Sequence, residues 1–525
     1  MLRRIRRGEL NELAREWHFT LDESELSEYE KLTEYIASIL DRLDRRSVAI
    51  ANVQAKRDIG REPQPHEDPY NAIVRWCSVS TGLEGPLTGV RVGLKDSIAI
   101  AGIPMTAGSK VLRAFIPDRD SVVTRRLLEA GAEIVATTNM DNLAFSGGGD
   151  TSAYGPTLCP FDTTRTAGGS SGGSGAALYY DGVDVTVGCD QGGSIRVPAA
   201  WCGVLGLKPT HGLVPYVGIA GIDQTFDHAG PMARTTAAAA RLLQAMAGLH
   251  EADPRQRAGV PTEDYVRAVA EAPEHLRGVR IGMVAEGFGD AAGTQPAVAD
   301  AVRGTAERMR ELGAEVTEVS VPAHLEAGDI AFAGFIEGMT ALVSGGGNGY
   351  AWAGEYWPEL AIALREGLAA FGDELSPQVK LTLICGLHLR RQYFGYYYAK
   401  AQNLRPWLRA AYDQALADVD CLLMPTTPGV PHKHDPSLPL SEHVMRGWGV
   451  LSNTAPTDMT GHPALTMPAA EVDGLPVGVM LIGRHFTDAK LLAIAQTYER
   501  AVGWLPHHPG DPRSRPAAAP EVPVG

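Results

Sequence analysis

The chain is poor in cysteine and in positive charge. Its six cysteines (Cys77, Cys159, Cys189, Cys202, Cys385 and Cys421) are scattered over 525 residues without a C-x-x-C pair. That spacing argues against a disulfide framework or a zinc ribbon and suits reduced thiols. Lysine and arginine number 47 against 62 acidic residues, for a formal net charge of -15, and the sequence pI is near 5.5. An acidic chain lacks the electrostatic footprint needed for nucleic acid or anionic lipid. No run of eighteen apolar residues occurs, so no segment is expected to span a bilayer. The basic start MLRRIRRGELNELAREW is interrupted by charge where a secretion signal needs an apolar run. A soluble, cytoplasmic protein acting on a small neutral molecule is expected.

The organisation is that of a large α/β body with additions. Thr20 and Glu23 read as a T-x-x-E capping box, followed by Leu26, Tyr29, Leu32, Ile36, Ile39, Leu40 and Leu43 at helical spacing. An N-terminal helical region, 1–75, is therefore predicted, ending in the proline-rich linker GREPQPHEDPY from Gly60 to Tyr70. β-α-β patterning follows: GVRVGLK, a helix from Ser121 to Ala130 stopped by Gly131, and AEIVATTN. It returns in VRIGMVAE (279–286), a helix from Pro296 to Leu312, and AEVTEVSVP. This predicts a central mixed or largely parallel sheet covered by helices, with a first catalytic part at 76–330. Long helical stretches between Ala331 and Ala401 read as an inserted helical subdomain, 331–400. A second catalytic part, 401–505, holds a helix from Leu404 to Ala417, the strand DCLLMPTTP, and a hairpin turning at Asp473-Gly474. The Pro- and Ala-rich tail, 506–525, reads as disordered.

Two glycine-serine clusters flank one short helix-and-strand unit between Thr166 and Gly203. Ser170 and Ser194 stand on either side of a helix at about 171–180 and a strand at 183–187, which can fold back and bring them together. Glycines beside a serine let backbone approach a substrate carbonyl closely. The run Gln191-Gly192-Gly193-Ser194 can converge its N–H groups on a developing oxyanion, each donor contributing about 2.7–4 kcal/mol. A serine needs a base, and the nearest histidines, His211 and His228, come after the clusters. Lys95, at the end of a predicted strand in GLKDSIAIAG, is the better candidate. At its usual pKa of about 10.4 a lysine is neutral in roughly one molecule in a few thousand at pH 7, so burial by neighbours such as Leu94, Ile98 and Ile100 must lower it. A phosphate loop is disfavoured, because no Gly-Lys-Ser or Gly-Lys-Thr follows. Cys189 reads as core packing rather than a catalytic thiol.

These residues resemble the amidase signature family, whose pattern stands here as Gly168 to Gly173 and then, nearly unbroken, from Asp190 to Gly212. The resemblance extends from GLKD near residue 90 to TGHPALTMPA and GLPVG, about four-fifths of the chain. It implies that Ser194 attacks an amide carbon, that Ser170 relays the proton beside a cis peptide after Gly169, and that neutral Lys95 is the base. Water then releases the acyl group, with no cofactor and no metal. Family members usually carry threonine at the place of Gln191, which here changes the pocket wall but not the backbone donor.

The DQGGSIR variant, the N-terminal helices and the insertion are most similar to bacterial enantioselective, nitrile-hydratase-associated amidases, which implies a homodimer formed through the N-terminal helices. By the same similarity Phe145, Phe226, Trp448 and Leu451 are pocket candidates for an aromatic or branched carboxamide. Arg196 either binds a substrate carboxylate or ties the loop to Asp190, and the second role is preferred. Asp227 and His228 carry no assignment. One alternative is the glutaminase subunit of a tRNA-dependent amidotransferase. Another is a hydrolase of hydrazides, anilides, carbamates or esters.

Overall fold

The computed structural model describes residues 3–504, apart from 49, 51, 257, 258, 346, 348 and 350–352. The tail read as disordered lies outside the described residues. Contacts divide the chain into a small unit, Met1–Ala51, and a large one, Asn52–Gly525.

The small unit holds two helices, Arg7–Glu16 and Glu23–Asp44, which bury Leu10, Ala14, Leu26 and Ala37. The capping box is not Thr20/Glu23. The Asp22 carboxylate accepts from the Glu25 N–H at 2.8 Å, and Glu25 answers to the Asp22 N–H at 2.9 Å. An aspartate suits this position best, because its charge also meets the positive end of the helix. The unit closes at Ala51 rather than near residue 75, because residues 56–61 and 73–80 are already strands.

The large unit is built on strands β1 (Lys56–Arg61), β2 (Ile73–Ser80), β3 (Arg91–Lys95), β4 (Glu133–Thr138), β5 (Leu158–Cys159), β6 (Asp162–Thr166) and β7 (Val185–Asp190). They continue with β8 (Leu205–Lys208), β9 (His228–Ala233), β10 (Arg280–Val284), β11 (Glu315–Val319), β12 (Cys421–Pro425), β13 (Ala464–Val472) and β14 (Leu475–Ile482). Twelve of them form one sheet in the order β1-β2-β4-β3-β7-β9-β8-β13-β14-β12-β10-β11, and β5 pairs with β6. The sheet is mixed. Parallel pairing is confined to β4-β3-β7 and β12-β10-β11, and every other neighbour is antiparallel. The β13–β14 hairpin turns at Asp473 (φ 51°) and Gly474 (φ 76°), the left-handed pair a two-residue turn requires.

The parallel β3–β7 pair, in register at Leu94 and Val187, fixes the position of the site. It sets the carboxyl ends of both strands at one edge of the sheet, where ligands of open α/β sheets bind. Lys95 ends β3, and the Gln191–Ser194 turn follows β7.

The helical stretch read as an insertion consists of helices Ala323–Ser344, Pro358–Phe371, Pro377–Tyr393 and Tyr396–Ala415. The helix expected from Leu404 is the second half of the last of these, which carries Pro406 in its interior. Helix Ala323–Ser344, with mean hydropathy 1.2, is long and apolar enough to cross a membrane by length and composition, contrary to the reading of the sequence. Its apolar window is 56% buried within the protein, so those side chains already serve as core.

Candidate active site

Lys95 is fully buried, and Leu94, Ile98 and Ile100 are each at most 1% exposed. Burial drives its pKa down, and the buried groups Cys189, Asp141, Asp190 and Asp227 oppose that shift. Its Nζ donates to Ser170 Oγ at 2.7 Å and to the Cys189 carbonyl at 3.4 Å. The Gly169–Ser170 peptide is cis. Ser170 is held through its carbonyl, which accepts from the Asp141 N–H at 3.1 Å. A side chain at position 169 would place a Cβ 1.7 Å from Asp141 Oδ2, so only glycine leaves room for that carboxylate.

Ser171 joins the two clusters. Its N–H donates to the Ser194 carbonyl at 3.1 Å, and its hydroxyl donates to the Cys189 carbonyl at 3.1 Å. Among the described residues the Ser194 hydroxyl has no hydrogen-bond partner, so Lys95 and Ser170 are joined here while the link from Ser170 to Ser194 is not made. Ser194 lies instead on the wall of a narrow cavity. Among the described residues the N–H groups of Gln191, Gly192, Gly193 and Ser194 also carry no protein acceptor, which leaves them available to an oxyanion. Gly193 has φ +143°, and a Cβ there would sit 2.2 Å from Thr454 Oγ1. That threonine hydroxyl donates to the Gly192 carbonyl at 2.6 Å and fixes the turn from behind.

The cavity is lined by Phe145, Trp448 and Leu451, together with Gln191, Gly192 and Ser194. Phe226 is not on its wall. It is fully buried one layer back, its ring 5.1 Å from that of Phe335. The aromatic wall the sequence reading missed comes from helix 323–344. Phe332 stacks edge-on to Trp448 at 5.0 Å, and Phe335 faces Phe145 at 6.5 Å. Gln191 Nε2 donates to the Tyr216 hydroxyl at 2.8 Å, and its buried Oε1 is unpaired.

Arg196 does not face the cavity. Nε donates to Asp190 at 3.0 Å, one Nη donates to the Thr454 carbonyl at 2.9 Å and to Thr457 Oγ1 at 2.6 Å, and the other donates to Asp190 at 2.9 Å and Asp458 at 2.7 Å. These bonds use all five guanidinium donors, so none remains for a substrate carboxylate. Burial raises a carboxyl pKa, yet Arg196 holds Asp190 down to about 2. Asp458 is pushed well up by burial and by the charge of Asp190. The Asp190 carboxylate also accepts from the Ile195 N–H at 2.9 Å, one residue beyond Ser194.

Two further residues receive roles. The Asp227 carboxylate accepts from the N–H groups of Ile222 and Asp223 and closes its own loop. His228 lies between Lys208, 3.3 Å away, and Asp458, 3.2 Å away, and burial holds its pKa well below the usual value. His211 stacks edge-on to His228, and neither histidine is hydrogen-bonded to Ser170 or Ser194 among the described residues. Cys189 is fully buried, and burial raises its thiol pKa. Among the described residues, the titratable side chain hydrogen-bonded to Ser170 is therefore a buried lysine, Lys95, and not a histidine.

Comparison with known proteins defines the family. The family profile described as Amidase matches residues 77–492. An enantioselective amidase of Rhodococcus rhodochrous is 41% identical over 85% of this chain and 86% of its own length. A component of the glutamyl-tRNA(Gln) amidotransferase of Chloroflexus aggregans is 37% identical over 81% of this chain and 85% of its own. The structure of a peptide amidase from Stenotrophomonas maltophilia superposes with a TM-score of 0.68 at 28% identity, covering 83% of this chain and 90% of that one. The chain belongs to the amidase signature family and is an amidohydrolase.

Proposed function

We propose that the chain hydrolyses small carboxamides with apolar, aromatic or branched acyl groups to carboxylic acid and ammonia. The observation that carries this reading is the cavity at Ser194, whose lining of Phe145, Phe332, Phe335, Trp448, Leu451 and Ile222 includes no charged side chain. Burying an aromatic acyl group against such a wall gains about 25 cal/mol per Å² of apolar surface removed from water.

In this reading Ser194 Oγ attacks the carbonyl carbon as its proton passes to Ser170 Oγ, and the proton of Ser170 passes to neutral Lys95 Nζ. The 2.7 Å Lys95–Ser170 contact and the burial of the amine support that order. The N–H groups of residues 191–194 receive the oxyanion. Lys95, protonated in the first step, returns its proton through Ser170 to the nitrogen of the tetrahedral intermediate, and the C–N bond breaks to release ammonia. Water then attacks the acyl-enzyme by the same relay run a second time. Closing the relay requires Ser194 to turn toward Ser170 when substrate fills the cavity.

A glutaminase subunit of a tRNA-dependent amidotransferase is the second reading, favoured by relatives named as components of such an enzyme. The uncharged wall counts against it, because glutamine presents an ammonium and a carboxylate that need charged partners. A homodimer through the N-terminal helices is part of the proposal, supported by exposed Tyr29, Leu32, Tyr35, Ile36, Leu40 and Leu43 on one helix. A cytoplasmic location is supported by six free cysteines.

The test is hydrolysis by the purified chain alone of enantiomer-resolved aliphatic and aromatic carboxamides, with L-glutamine in parallel and Ser194→Ala as control. Turnover of apolar amides, absent in the variant, is expected. Glutamine hydrolysed faster than every apolar amide would overturn the reading.

A further inference from the structure

Three side chains from separate segments converge outside the serine site: Asp413 near the end of helix 396–415, His462 just before β13, and His485 just after β14. One ligand atom from each lies within 4.8 Å of the other two. His462 Nε2 is 3.1 Å from Asp413 Oδ1, and His485 Nδ1 is 4.0 Å from the same oxygen. The two rings lie with centroids 4.2 Å apart.

Thr460 contacts both imidazoles. His485 Nε2 is 3.0 Å from the Thr460 carbonyl. A carbonyl only accepts, so Nε2 carries the ring proton and Nδ1 is a bare lone pair. That lone pair faces a carboxylate oxygen: two acceptors approach each other, an arrangement that a cation between them relieves. His462 Nε2 is hydrogen-bonded to Asp413 Oδ1 at 3.1 Å, and because a carboxylate only accepts, Nε2 carries the ring proton there while Nδ1 accepts from the Thr460 hydroxyl at 2.9 Å; a bound cation displaces that proton, and Thr460 Oγ1 then accepts from Nδ1–H. One threonine thus orients both imidazoles from behind, by the outer-shell bonding that fixes metal-binding histidines.

We propose that Asp413, His462 and His485 bind one divalent transition-metal ion of the zinc type. Two imidazoles and one carboxylate suit zinc, cobalt or nickel, whereas calcium and magnesium prefer oxygen alone. Bonds of about 2.0 Å in a tetrahedron set ligand atoms about 3.3 Å apart. The His462–Asp413 pair already stands at that spacing, and His485 closes the remainder. Asp413, with its side chain half exposed, has the freedom to follow. His485, Thr460 and Gly461 border a surface cavity whose lining also includes Arg255, Arg405 and Arg409. Arg409 approaches the other carboxylate oxygen, Oδ2, at 3.6 Å, so Oδ1 stays directed at the histidines. The bound ion clamps helix 396–415 onto the ends of β13 and β14, which His462 and His485 adjoin.

The experiment is a zinc titration of chelator-treated, full-length protein against a chromophoric chelator, repeated with His485→Gln and Asp413→Asn. Wild type is expected to take one tight equivalent. Each variant is expected to bind it at least about tenfold more weakly, since even loss of an outer partner costs roughly 10–100-fold. Cobalt in place of zinc is expected to give ligand-field bands without the charge-transfer band of a thiolate such as Cys385. Absence of a tight equivalent in wild type, wild-type affinity in either variant, or a thiolate band would overturn the proposal. Circular dichroism checks folding, and should His485→Gln fail to fold, Asp413→Asn decides alone.

Discussion

Replacing Arg196 with alanine tests whether this arginine belongs to the framework or to substrate binding. The guanidinium is wholly buried and spends every donor on Asp190, Asp458, Thr454 and Thr457. Its removal leaves Asp190 as a buried charge without its main partner, and losing one member of a buried pair costs about 3–5 kcal/mol. The orphaned Thr454 carbonyl adds to this on the order of 1 kcal/mol. Urea unfolding is the assay, and the midpoint should fall by the corresponding amount at unchanged slope. The pH dependence has a definite sign. Arg196 holds the folded Asp190 at about 2, below the ordinary carboxylate value, so this contribution is present above that ordinary value and is lost as pH falls toward 2. In Arg196→Ala burial is left to raise the Asp190 pKa, so the acid-side loss that Asp190 contributes in the wild type shrinks or reverses, and the stability gap between wild type and variant narrows as pH falls toward 2. A variant within about 1 kcal/mol of wild type, whose KM rises only for substrates bearing a carboxylate, would refute the reasoning and make Arg196 a substrate anchor.

Three further outcomes follow from the site. Because burial depresses the Lys95 pKa and the neutral amine is the base, kcat/KM should be lost as pH falls through its titration; a profile flat from roughly pH 5 to 9 would contradict this. Gly193→Ala puts a Cβ 2.2 Å from Thr454 Oγ1 and displaces the turn, so kcat should drop about 10²–10³-fold in a steady-state amide assay, the typical loss for one oxyanion donor. Phe335→Ala enlarges the acyl cavity, so competition assays should show the kcat/KM ratio of bulky over small acyl groups rising at least about tenfold. An unchanged ratio would remove Phe335 from the wall.

What was legible in the sequence is what is local. Glycine-flanked serines and a lysine at the end of a strand announce themselves over a few residues, and β3, β4, β10 and β11 were readable from their alternating or apolar runs. Arg196 was readable as a residue to explain, but its partners Thr454, Thr457 and Asp458 lie some 260 positions away, beyond any pattern. Phe332 and Phe335 were hidden for another reason. They sit on an apolar helix most of whose other faces are core, and i, i+3 spacing does not say which aromatic meets a cavity and which meets packing. Phe226 shows the converse, an aromatic chosen by similarity that packs behind Phe335. The capping box moved by two residues because Thr20/Glu23 and Asp22/Glu25 both fit the pattern, and hydrogen bonding chose the aspartate.

The central claim is that Ser194 carries the acyl group, and rapid acid quench during turnover of an aromatic carboxamide, followed by intact mass and peptide mapping, tests it most directly. The account predicts a transient adduct of the acyl mass on the peptide containing Ser194, absent in Ser194→Ala. An adduct on Ser170 or Cys189, or full turnover by the Ser194→Ala protein, would contradict it.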